Sequence, residues 1–104
     1  MATKKDIFNA LKRTEELAMS TGLVGPLDML VVLEPEGSQH NTTDWGVGLV
    51  RNGSGSIERN KLTFLPNSGR SIGNTKREAL QTLQTVNGVM LAMIHNTSMR
   101  RLGY

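Results

Sequence analysis

The chain has 104 residues, of which 38% are hydrophobic and 20% charged, with no Cys, a formal net charge of +3 and a pI near 9.7. This length fits one domain spanning residues 1–104 with a modest core, the composition excludes a disordered chain, and the lack of Cys excludes disulfides and thiolate chemistry. No apolar run approaches the ~18 residues of a membrane span, no leader-like segment is evident, and the expected setting is cytoplasmic, with a basic balance compatible with an acidic partner.

Thr3 followed by Asp6 is a helix-start pattern, and Ile7, Ala10, Leu11, Thr14, Leu17 and Ala18 recur at the spacing of one helical face. Gly22 supplies the stop. Lys4, Lys5, Lys12, Arg13, Glu15 and Glu16 fall largely off that face and read as solvated surface. Residues 27–33 follow Gly25-Pro26 and are too short and too apolar for another helix, so they read as a buried strand. A polar loop over 34–43 leads to a second strand in which Trp45, Val47 and Leu49 make one large face. Gly46 and Gly48 leave its other face nearly bare, a pattern that marks close approach by another backbone, a helix or a ligand. A turn over 52–55 returns the chain as a third strand, 57–65, anchored by Leu62 and Phe64.

The last helix starts at a Thr-x-x-Glu capping box, Thr75 and Glu78. Leu80, Leu83, Leu91 and Ile94 share one face, widened by Ala79, Val86, Met90 and Met93. That breadth suits either a long core helix or a homodimer contact through the Met-rich end. Gly88 costs about 1 kcal/mol relative to Ala there, and either permits close helix packing or marks a weak point. Residues 96–104, with Arg100 and Arg101, are expected to be a flexible tail. The predicted fold is therefore α+β: a three-stranded antiparallel sheet with N-terminal and C-terminal helices, α-β-β-β-α.

The sharpest chemical signal lies at the start of the last helix. Unpaired backbone N–H groups and the positive end of the macrodipole meet Arg70, Lys76 and Arg77 there, a combination that favours phosphate. Catalysis finds no comparable support. His40 and His95 are far apart, metal-ligand spacings are lacking, and GRSIGNTK does not have the glycine and lysine spacing of a nucleotide phosphate loop. His95 suits the negative end of its helix. The expectation is a non-enzyme without cofactor or metal.

The order helix, three strands, helix resembles the double-stranded-RNA-binding domain, whose two helices lie on one face of the sheet. EPEGSQHNTTDWGVGLVRNG resembles that family's strand, Gly-Pro-x-His loop and strand, with Gly37, Ser38, Gln39 and His40 at the loop. GRSIGNTKREAL resembles its basic second-helix start, where a Lys-Lys-x-Ala-Lys motif grips phosphates across the major groove. Lys76, Arg77 and Ala79 fit the motif, while Leu80 stands in place of its last Lys, and Ser38 and Gln39 in place of the loop prolines. The resemblance implies recognition of duplex RNA by shape, 2′-hydroxyl and phosphate contacts. It places helix-one polar residues and the His40 loop at minor grooves, and Lys76 and Arg77 over the phosphates between them. The nucleic-acid-binding residues it selects, with the helix-start argument, are His40, Arg70, Lys76 and Arg77. Two other functions fit the same residues: a small oligomeric protein binding a nucleotide or other phosphorylated small molecule, and an interaction module that dimerises through the last helix.

Overall fold

The computed structural model describes residues 1–36, 43–51, 57–58 and 62–101. Its elements are α1 (Lys4–Ser20), β1 (Met29–Leu33), β2 (Gly46–Val50), β3 (Ile57–Glu58), a short turn of 3-10 type (Pro66–Gly69) and α2 (Lys76–Arg101). The strands form one antiparallel sheet in the order β1-β2-β3. This is the expected α-β-β-β-α fold.

α1 begins where the capping pattern places it. The Thr3 side chain accepts the Asp6 N–H at 3.2 Å while the Asp6 carboxylate accepts the Thr3 N–H at 3.0 Å, so two donors with no intrahelical partner are satisfied reciprocally. Its buried residues are Ile7, Leu11, Thr14, Leu17 and Ala18, and Gly22 turns the chain away at φ +77°. These side chains join Leu30 of β1, Val47 and Leu49 of β2, and Ala79, Leu83 and Met90 of α2 in one core. Leu30 faces Leu49 and Val32 faces Val47 across the ladder, so this face of the sheet meets both helices.

The opposite face explains Gly48 of β2. Gly48 lies opposite Val31, and a Cβ added to it would run into the Ile57 γ-methyl and come within 3.3 Å of Val31 Cγ2. The close approach expected at Gly48 is made by side chains of the two flanking strands, which close over it.

Two expectations need correcting. The third strand is Ile57–Glu58 and does not extend to residue 65: Leu62 and Leu65 are buried anchors of a turn, closed by Leu65 N–H donating to Leu62 C=O. The expected anchors Leu62 and Phe64 have strand spacing because Leu62 lies in the core and Phe64 packs against it, both from irregular backbone. On α2, Leu91 and Met93 are exposed, so the core stripe is narrower than the run of apolar residues suggests. α2 itself extends to Arg101.

Gly88 has nothing within 4 Å of the Cβ it lacks and is exposed. Of the two readings above, the weak point applies. Gly88→Ala is therefore expected to stabilise the fold by about 1 kcal/mol, measurable as a higher denaturant midpoint at unchanged slope.

Candidate functional site

α2 starts where it does because the preceding loop is pinned to the sheet. Trp45 N–H donates to Gly73 C=O and Ile72 N–H donates to Trp45 C=O, each at 2.8 Å. Ser71 Oγ adds a hydrogen bond to the Asp44 carboxylate at 3.1 Å. Gly73 adopts φ +151°, and a Cβ on it would lie 2.6 Å from Glu78 Cβ and 2.7 Å from Ala79 N. The loop backbone thus lies directly against the first turn of α2. Thr75 Oγ1 then accepts the Glu78 N–H at 3.1 Å, as its capping pattern predicts.

The two helices run parallel. Thr14 of α1 reaches Asn87 of α2 at 2.6 Å, and nearer their starts both line the same open hollow of about 880 Å³. Its walls include Ala2 and Asp6 from the start of α1, with Lys76, Arg77, Leu80 and Gln81 from the first turns of α2. Two positive helix ends therefore share one end of the molecule. The Asp6 carboxylate is turned back onto Thr3 N–H, where it caps α1. The exit from β1 lies at this end too, since Lys4 Nζ pairs with Glu34 at 2.7 Å.

Lys76 and Arg77 are exposed on this hollow. Arg70 is exposed as well, but it follows the left-handed residues Asn67, Ser68 and Gly69 (φ 51°, 54° and 84°) and does not line the hollow. His40 lies outside the described residues. Of the described cations with described side chains, Lys4, Arg13 and Arg51 are paired with Glu34, Glu16 and Glu58. Lys5, Lys12, Arg70, Lys76 and Arg77 make no ion pair among the described residues. Their charge is available to a ligand without first breaking an existing pair.

The joining of the α1 and α2 starts is not legible in the sequence. Both capping boxes are visible there, but neither says where its helix end lies in space. Among the described residues, no three His, Asp or Glu side chains come together as a metal cluster would require. No helix among them is long and apolar enough to cross a membrane. No protein family, curated protein or solved structure matches the chain.

Proposed function

We propose that this protein is a non-catalytic nucleic-acid-binding module that grips the phosphates of duplex RNA at the end where α1 and α2 begin. One observation carries the reading: parallel packing brings two helix N-termini to one open hollow, with the unpaired Lys76 and Arg77 on its wall. Backbone N–H groups and mobile cations together suit an anionic polymer read by shape. The breadth of the hollow favours a strand backbone crossing it over a small phosphorylated ligand, which is ordinarily held in a more enclosed cleft.

The direct test is binding to an RNA duplex, the matching DNA duplex and a single strand at two salt concentrations. The expected result is a preference for duplex RNA, with affinity falling steeply as salt rises. Charge reversal of both Lys76 and Arg77 to Glu is expected to weaken binding at least tenfold and to flatten the salt slope by about two, one for each phosphate no longer neutralised. Absence of binding at low salt overturns the proposal, and saturable one-to-one uptake of a nucleotide instead supports the small-ligand reading.

A second reading has its own observation. Val89, Leu91 and Met93 are 58%, 44% and 48% exposed on the C-terminal half of α2. That surface suits an interaction module whose last helix docks on a partner or a second copy.

A further inference from the structure

We infer that the free edge of β1 pairs with β1 of a second copy, joining two sheets into one of six strands. This surface is separate from the phosphate site and from the apolar end of α2, and the inference does not depend on either.

Among the described residues β1 is an outer strand of the sheet, and only its β2 side is paired. Which backbone groups face outward follows from one hydrogen bond: Leu30 N–H donates to the Glu15 carboxylate at 2.8 Å, so it points away from β2. Backbone direction alternates along a strand, so the Val32 and Glu34 amides face the same way. Glu15 satisfies the first of these, and among the described residues nothing bonds the other two. The strand MLVVL carries no Lys, Pro or bulge of the kind that blunts a free edge. Alongside runs a groove lined by Phe8, Lys12 and Glu15 of α1 and by Met29 and Val31, with Phe8 and Met29 about half exposed.

A row of outward amides and carbonyls is complementary to another extended strand, and an antiparallel strand is complementary to its own two-fold mate. Centring the axis on Val32 exchanges both of its backbone hydrogen bonds with Val32 of the second copy. The Glu34 amide then donates to the Leu30 carbonyl across the axis, and the Glu34 carbonyl takes the Leu30 N–H over from Glu15, whose carboxylate is released. Charge points to the same occupant. α1 runs opposite to β1, with Lys4 at Glu34 and Glu15 at Leu30. The axis therefore sets Glu15 level with Lys4 and Lys5 of the second copy, and Phe8 level with the stem of Lys12. With Glu34 offset by its own Lys4, the charge left facing Glu15 on both flanks is that of Lys5.

The test is sedimentation of the full chain from about 10 μM to about 1 mM, the range expected for a small interface. The expected species shifts from 11.4 kDa to twice that mass. Amide exchange by NMR should slow at Val32 and Glu34 as concentration rises, while Leu30 stays protected throughout. Val32→Pro removes an outward N–H that the β1–β2 ladder does not use, so the fold should persist while the heavier species is lost. Should that variant fail to fold, the exchange pattern of the unaltered chain decides. A monomer at every concentration overturns the inference. So does a dimer whose Val32 and Glu34 amides exchange as fast as in the monomer, which would move the interface to Val89, Leu91 and Met93.

Discussion

Gly73→Ala is expected to destabilise the fold by roughly 3–5 kcal/mol, a large part of the 5–15 kcal/mol typical of a small domain. Two effects combine. At φ +151° an L side chain is strained, at a cost of about 1–3 kcal/mol. The added Cβ would also lie 2.7 Å from Ala79 N and 2.9 Å from the Glu78 carbonyl carbon, both in the backbone of the first turn of α2. Backbone cannot rotate aside as a flexible side chain can, so overpacking adds about 2 kcal/mol. Thermal unfolding should fall by roughly 15 °C or more. Gly22→Ala separates the two terms, because Gly22 sits at φ +77° with nothing within 4 Å. It should cost only about 1 kcal/mol. If both variants melt alike, the contact between the loop and the start of α2 is not what requires glycine. The same experiment bears on the proposed function, since a displaced loop would move Lys76 and Arg77 even where the fold survives.

Thr14→Val should cost more than Asn87→Leu, although the two side chains share a hydrogen bond. Both are buried between the helices, Thr14 completely and Asn87 at 8% exposure. The Thr14 hydroxyl donates to Asn87 Oδ1 at 2.6 Å and also lies 2.9 Å from Ala10 C=O, while Asn87 Nδ2 donates to Ala10 C=O at 3.2 Å. Remove Asn87 and Thr14 still has a carbonyl to bond. Remove Thr14 and Asn87 Oδ1 is left buried without a partner among the described residues. The asymmetry predicts about 2–3 kcal/mol for Thr14→Val and about 1 kcal/mol for Asn87→Leu. The double variant should recover most of the loss, because two apolar groups replace a matched polar pair. Denaturant unfolding of the three variants reads this out directly, and strict additivity would sink the argument.

What is legible in the sequence and what is not divide along a physical line. α1 is legible because its signals are local: Thr3 and Asp6 lie within a single turn, and an apolar stripe follows. The start of α2 is legible for the same reason, through Thr75 and Glu78. The 62–65 turn reads as a strand because periodicity reports which side chains are buried and not the backbone that carries them. Leu62 and Leu65 are as buried as strand residues and belong to none. Asn87 escapes notice because a polar residue on an apolar stripe looks like a gap. The signal is the matching polar residue on the other stripe, Thr14, whose partner only the fold supplies. The candidate site divides likewise: Lys76 and Arg77 stand out at a recognisable helix start, but the role of α1 in the same hollow requires the parallel packing of two distant segments.

That parallel packing has a consequence for how the molecule is made. Thr14 and Asn87 are 73 residues apart. At synthesis rates of about 5–20 residues per second, the apolar stripe of α1 waits roughly 4–15 s for the helix that covers it. During that interval the emerging chain can pair its strands, yet Ile7, Leu11 and Leu17 lack their α2 neighbours. Closure is a late, long-range step, and such steps fold slowly compared with local helix pairing. A ribosome-bound chain arrested before residue 79 has emerged is thus expected to be readily digested by protease, and one carried by a C-terminal linker until residue 94 has cleared the exit tunnel to resist it. For this topology the moment of greatest exposure to aggregation and to chaperones comes during synthesis, before the last helix has left the exit tunnel.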